Sequence, residues 1–541
     1  MSRSGMMARL LRLARLAERC EQTGENPHEA IGRDPLDNSG RRNFAKGAVA
    51  ATAAAAAWSV TPAALAGKGQ SRITPIGQRY SGNVAVVGAG LAGLGCANEL
   101  ARLGLHARVY EASDRAGGRV ASLRDVFPGQ VVERGGEFIS SSHNAMLGYA
   151  RELGLELEDY STFPGEAFYH FGGQRHSEAQ VVEEYREFAA SIREDLGALS
   201  YPTADRFTES DQLFDYMSLD EYLTLHGAGR LLKQVISSAY LAEYGASIDE
   251  LSSISFLRFI YGDKRSKQAP FGVGSGELLR VADGNDRITS GLASRLPTPP
   301  ILGHRLVAVR KLASGILRLS FDVGGRTVDT EHHAVVMTLP FSVLRDVDLH
   351  PSLDLPAWKT LAIKSTDMGD HSKLLVGFND PVWKSRHGLN GTGFSDRGLM
   401  QATWEANPSR AGGGHAVMAS YIGGAQARGV GPATVQANAA AFLGHLDQAV
   451  PGALAAASRD GAGQVLAYAE NWTSNPFSKG SQSCNRPGYF TTLAHNEAKA
   501  VGNLLFAGEH TSSFYEWQGF MEGAALSGLR AAGEVLALAK A

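Results

Sequence analysis

Cysteine is scarce in this chain: three residues among 541, Cys20, Cys96 and Cys484. They make no CxxC pair and no metal-ligand spacing, which argues against a zinc site and a disulfide framework and leaves no metal to expect. Cys96 and Cys484 stand far apart and are read as free thiols. Excess positive charge is lacking too. A formal net charge of -3 with a pI near 6.6 leaves no basic footprint for a nucleic-acid partner. No internal repeat of about 20 to 50 residues is visible. What is plentiful is apolar material, 44% of the residues, enough for two packed domains. Glycine is abundant as well, 63 residues against about 7% in average usage, and such excess points to close approaches of backbone.

Long hydrophobic runs are also missing. The alanine-rich stretch from Gly47 to Val60 falls short of the roughly 20 apolar residues that span a bilayer. It follows Arg41-Arg42-Asn43-Phe44-Ala45-Lys46 and precedes Pro62 and Ala64-Leu65-Ala66. That order reads as a twin-arginine export signal over 1–66, cleaved near Ala66, and predicts a periplasmic or secreted protein. The alternative is a basic amphipathic leader or half of a membrane anchor. Upstream, ARLLRLARL from Ala8 to Leu16 is basic and amphipathic and makes the leader long, with Met6 or Met7 as candidate starts.

From Asn83 the chain reads NVAVVGAGLAGLGCANELARLGLHARVYEAS: a buried strand, a glycine turn, a helix pattern and a second strand. Gly88, Gly90 and Gly93 supply GxGxxG at the junction. The first lets the turn close, the second admits a pyrophosphate and the third lets helix pack on strand. Phosphates would sit on the helix N-terminus. Glu111 ends the second strand 18 residues after Gly93, placed to accept hydrogen bonds from a ribose. A lone GxGxxG is weak, but strand, helix and acid at this spacing make a dinucleotide site. NAD and FAD fit it equally well. Asp114-Arg115-Ala116-Gly117-Gly118-Arg119 then adds glycines and cations suited to pyrophosphate, and Glu133-Arg134-Gly135-Gly136-Glu137-Phe138 a further glycine pair.

Near the far end, the strand-like NLLFA leads into Gly508-Glu509-His510-Thr511, and Gly519-Phe520-Met521-Glu522-Gly523-Ala524 opens a last helix. Its partly positive N-terminus suits an electron-rich ring edge. Together GAGLAGL, EASDRAGGR, ERGGEFI, VVMTLPFSVL, HSKLLVGF, NWTSNPFSKGS and FAGEHT with GFMEGAALSGLRAA resemble the flavin-containing amine oxidase family, in family order, from Asn83 onward. The resemblance implies an α/β fold: a Rossmann-like FAD-binding domain of the GR2 type with an inserted α+β substrate-binding domain. It implies that Gly88, Gly90, Gly93, Glu111, Arg115, Gly118, Arg119, Gly135 and Gly136 hold FAD, with Val307 offering backbone to the adenine. Gly508, Glu509 and Met521 would meet the ribityl, phosphate and flavin carbonyl parts. Lys373 matches a lysine that holds a water at flavin N5; without the family frame it reads equally well as a solvated strand lysine.

The pattern departs from the family at two places. Where animal monoamine oxidases carry a flavin-linked cysteine and then a tyrosine, this chain has Ser481 and Gln482, so the FAD is expected to be non-covalent. Phe520 fills one of two aromatic walls beside the flavin and Gln482 stands in the other; Trp472, Tyr489 or Trp517 are candidates to compensate. The arginine that several amino-acid oxidases place after the glycines is absent, and His143 reads as a structural helix-start residue. The expected parts are an export signal 1–66, FAD-domain segments 80–144, 266–310 and 471–541, a helical substrate part 145–265 and a sheet part 311–470. Expected partners are a small-molecule amine or amino acid, O2 and the twin-arginine export machinery, with a homodimer left open. Oxidative deamination of an amine is the leading reading. An L-amino-acid oxidase, a related desaturase or porphyrinogen oxidase, and a flavin-binding protein without turnover are the alternatives.

Overall fold

Four short apolar runs, Val84–Val87, Ala107–Tyr110, Ala334–Met337 and Leu504–Phe506, build one parallel sheet, in the computed structural model of the chain. Across the sheet the order is 107–110, 84–87, 334–337, 504–506. The structure describes residues 5–32, 83–160, 165–260, 278–408, 415–512 and 517–540. The twin-arginine pair and Ala64-Leu65-Ala66 lie outside them. The two inner strands and the edge strand 504–506 are continuous apolar runs because helices and a second sheet cover both of their faces. On one face, Leu91–Arg102 packs against the last helix, Met521–Lys540. A Cβ at Gly528 would meet the Ala92 carbonyl, so that helix pair is set by glycine.

The other face carries the sheet of Arg305–Lys311, Leu317–Val323, Arg326–His332 and Asp348–Leu349, whose Leu306, Val309, Leu319 and Phe321 join Val87, Val335 and Phe506 in one core. This differs from the expected boundaries. The range 311–470, read from its β-like runs as the sheet part of the substrate domain, begins with strands of the FAD half, and HAVVMTL supplies a central strand of the nucleotide sheet. Periodicity identifies a strand but not the sheet that takes it.

The substrate half is a seven-stranded sheet in the order Ala467–Asn471, His371–Phe378, Ala416–Gly423, Ala402–Glu405, Leu389–Ser395, Glu166–Phe171 and Gln174–His176. Helices including Glu178–Ser191, Arg230–Tyr244 and Ser253–Ile260 share its core. They share it with a segment expected to be leader. Residues 5–32 hold the helices Gly5–Thr23 and Pro27–Gly32, and Leu10, Leu13, Ala14, Ala17 and Cys20 are buried in the same cluster. The basic amphipathic pattern seen in the sequence is real; its apolar stripe faces protein. All three cysteines are free and buried.

Candidate active site

The parallel strands converge on one crevice. Gly88, Glu111, Thr338 and Gly508, each just beyond the carboxyl end of a different strand, line a cavity of about 670 Å³ that runs between the two halves. Ligands of open α/β sheets bind at this end of the strands, where loops diverge. Each glycine of the fingerprint has a geometric reason. Gly88 sits at φ +109°, and a Cβ there would strike Thr338. A Cβ at Gly93 would be driven into the Gly88 carbonyl oxygen, whereas one at Gly90 would point into open space. Gly90 is also the N-cap of Leu91–Arg102 with no side chain capping it, so the first amides of that helix are left for an anion. Gly117 donates to Ala89 O at 2.8 Å, and Gly118 lies against Gly90, closing the second glycine pair over the first.

Glu111 lines the cavity with its carboxylate already fixed. One oxygen accepts from Ala89 N at 2.8 Å and the other from Ser113 N and Oγ at 2.9 and 2.8 Å. Arg115 gives its guanidinium to the carbonyls of Ala116, Gly118 and Val120, so it braces the glycine loop from within the lining. Arg119 reaches across the chain to Glu509 at 2.8 Å and to the Ser481 carbonyl. Glu509 also accepts from Ser483 Oγ at 2.7 Å and Gly519 N at 2.8 Å. Burial alone would raise its carboxyl; Arg119, His510 and Ser483 outweigh that and hold it below the usual range. Val307 is at a β-bulge between Leu306 and Ala308, the extra residue of its strand, while its neighbours Arg305 and Leu306 line the cavity. Met521 begins the last helix against Gly136, whose Cβ would come 3.0 Å from its sulfur.

Lys373 is 3% exposed on the His371–Phe378 strand and lines the cavity. Its ammonium has three protons and meets three acceptors: Glu133 O at 2.9 Å, Gly135 O at 3.1 Å and Glu137 Oε2 at 2.9 Å. This is no solvated strand lysine. Glu137 uses its other oxygen on Trp404 Nε1 at 3.0 Å, so one carboxylate holds the lysine and an indole together. Asn285 fixes the same turn from the far side, donating to Gly136 O at 3.0 Å and Glu137 O at 2.7 Å.

Phe520 lines the cavity and is held edge-to-face by Trp517 and His143, with ring centroids 5.7 and 5.4 Å away. Gln482 lines it as well, its amide donating to the Glu243 carbonyl and its own carbonyl accepting from Gly369 N. The aromatic surface there comes from Trp404 and Tyr421, rings 5.8 Å apart on neighbouring strands, which sequence reading did not single out. Trp472 also lines the cavity. Tyr489 does not; its hydroxyl binds Glu497 within the fold. Trp517 acts from behind Phe520.

His143 accepts from Ser140 N through Nδ1 at 3.1 Å, and burial brings its pKa down to about 3. His371 and His510 are also brought to about 3 by burial. A histidine whose folded pKa is depressed contributes stability that is present above its unfolded pKa and lost as pH falls. The melting temperature is therefore expected to fall steadily as pH drops from about 6.5 towards 4. His143→Gln should lessen that slope by about one proton, roughly 1.4 kcal/mol per pH unit, in melts followed across that range.

The family pattern described as flavin containing amine oxidoreductase matches residues 91–536. The chain belongs to this family. Among curated relatives it is 28% identical to the flavin-dependent L-tryptophan oxidase RebO of Lentzea aerocolonigenes, over 83% of this chain and 96% of that protein. It is 24% identical to the flavin-containing amine oxidase B of Rattus norvegicus, over 84% and 86%. The solved structure of cyclohexylamine oxidase from Brevibacterium oxydans superposes with a TM-score of 0.70 at 20% identity, covering 85% of this chain and 99% of that one. The fold is thus the amine oxidase FAD-binding fold, the cofactor is FAD, and the enzyme is an oxidoreductase acting on amines. The open space at Gly90 and the uncapped helix behind it fit the cofactor's pyrophosphate. None of the three cysteines lines the cavity; Cys484 is buried on a strand paired with Asp367. Denaturing the protein and passing it through a size-cutoff membrane should send all flavin absorbance into the filtrate.

Proposed function

We propose that this enzyme oxidises a primary or secondary amine to an imine, which hydrolyses to an aldehyde or ketone, with O2 reduced to H2O2. FAD, when bound, supplies the two-electron acceptor for the amine's α C–H bond and passes the electrons to O2. The chain's own residues do the rest. Gly88, Gly90 and Gly93, with Glu111, Arg115, Gly118 and Arg119, hold the adenosine and pyrophosphate parts, the bulge at Val307 offers backbone to the adenine, and Gly135, Gly136, Gly508, Glu509 and Met521 frame the rest. Phe520 on one side, with Trp404, Tyr421 and Gln482 on the other, orients the substrate and excludes water. A dry aromatic wall penalises charge and so favours the deprotonated amine that reacts. Lys373, fixed by Glu137, presents a cation where oxygen gains electrons; its three protein acceptors make any water it holds a fourth, shared partner.

The observation that carries an amine rather than an amino acid is the state of the arginines. Among the described residues, those lining the cavity are already spoken for: Arg115 by loop carbonyls, Arg119 by Glu509, Arg134 by Tyr468 and Glu470, and Arg305 by Asp322. Each already holds a protein acceptor, so a substrate carboxylate would have to share an arginine with the fold. An L-amino-acid oxidase is the second reading, favoured by the likeness to an L-tryptophan oxidase. Mixing the purified enzyme anaerobically with panels of amines and L-amino acids decides between them. Simple amines are expected to bleach the flavin absorbance, and bleaching by amino acids alone would overturn the reading. Export to the periplasm or beyond rests on Arg41-Arg42, the apolar run and Ala64-Leu65-Ala66; Arg41→Lys with Arg42→Lys should leave the enzyme in the cytoplasmic fraction.

A further inference from the structure

The groove between the helices Glu178–Ser191, Arg230–Tyr244 and Ser253–Ile260 is filled by the chain's own first helix. Leu10, Leu13, Ala14, Ala17 and Cys20 recur at spacings of three and four, the period of one helix face, and none is more than 3% exposed. The ends of that stripe are pinned by charge. Arg12 pairs with Glu178, and Arg193 reaches Glu18 at 3.2 Å and Glu21 at 2.8 Å. Beneath the stripe lie Val181, Val182, Tyr185, Phe188 and Leu232, core residues of the substrate half. Removing the helix would bare that apolar floor to water, which folded proteins rarely tolerate over a large area.

The helix is therefore built into the domain that shapes the substrate site, although Arg41-Arg42 and Ala64-Leu65-Ala66 stand between it and the first nucleotide-sheet strand. We propose that residues 5–32 are a permanent strut of the substrate domain, held by packing rather than by chain connection. An enzyme cut anywhere in 33–82 then remains a two-chain protein that keeps its first helix. The twin-arginine pair has folded protein on both of its flanks, so any leader it heads is internal to the enzyme. The strut does not depend on export taking place.

The test uses the holoenzyme. A recognition sequence for a site-specific protease is placed between Gly67 and Ser71, the protein is purified folded with its flavin, and only then cut. On gel filtration at micromolar concentration the amino-terminal fragment should co-elute with the body at one-to-one ratio by mass spectrometry, with flavin absorbance and melting temperature unchanged. Leu13→Asp in the same protein should release at least ten times more fragment after cutting. Elution of the wild-type fragment away from the body overturns the proposal, whatever the state of the body. Equal retention of the Leu13→Asp fragment overturns it too, because the apolar stripe would then not be the anchor. Since cutting follows folding, the wild-type result decides even where the Leu13→Asp protein does not accumulate.

Discussion

Lys373→Met is expected to slow turnover with O2 by about 100-fold, the scale seen when a preorganised electrostatic partner is removed, while the anaerobic bleaching of flavin by amine falls far less. Stopped-flow measurement of the two half-reactions separates these effects. The substitution should also cost stability. Lys373 and Glu137 are an ion pair with both side chains 4% exposed, and removing one partner of such a pair strands the other, at about 3 kcal/mol. Glu137→Gln keeps an oxygen to accept from Trp404 Nε1 and puts an uncharged NH2 donor where the lysine's acceptor stood. The double variant should regain most of the stability lost by Lys373→Met without regaining turnover, the non-additivity expected of two groups in contact. Equal oxidation rates in wild type and Lys373→Met would remove the lysine from the oxygen step.

Gly93→Ala should yield a colourless protein. Its Cβ would be forced into the Gly88 carbonyl, so Leu91–Arg102 must move off the Val84–Val87 strand and take the anion-binding amides with it. Overpacking of this kind costs about 1 to 3 kcal/mol, and the stabilisation given by bound cofactor, about 3 kcal/mol at 100 times its Kd, goes as well. Gly90→Ala is the informative companion. Gly90 has φ -75°, which alanine adopts freely, and its Cβ meets no protein atom. The apoprotein should therefore melt as wild type does, while FAD affinity falls because the methyl occupies pyrophosphate space. A flavin content and melting temperature equal to wild type in both variants would mean that this turn does not bind the cofactor.

The site was legible wherever chemistry is written in neighbouring residues. GxGxxG, the acid at Glu111 and the glycine pairs at 117–118 and 135–136 are all local patterns, and all of these residues line the crevice except Gly93, which packs against the Gly88 carbonyl behind it. Lys373 needed the family resemblance, because a lysine in an apolar strand has the same pattern whether it faces solvent or a carboxylate. Trp404, Tyr421 and Asn285 carried no local signal. The two aromatics meet because Ala402–Glu405 pairs with Ala416–Gly423 in a register that puts Trp404 and Tyr421 close together, and register is fixed by pairing rather than by either strand alone.

By itself, then, the sequence determined the nucleotide-binding half, since GxGxxG and Glu111 follow from residue type and short spacing, while FAD and the missing cysteine link came through the family resemblance. Tertiary structure alone decided which sheet takes the strand 334–337, which aromatic side chains line the cavity besides Phe520, how Glu137 joins Lys373 to Trp404, and that the basic helix at the start of the chain is core. Each is a meeting of segments tens to hundreds of residues apart, settled by where apolar faces find cover, and an amphipathic stripe states only that it will be covered, not by what.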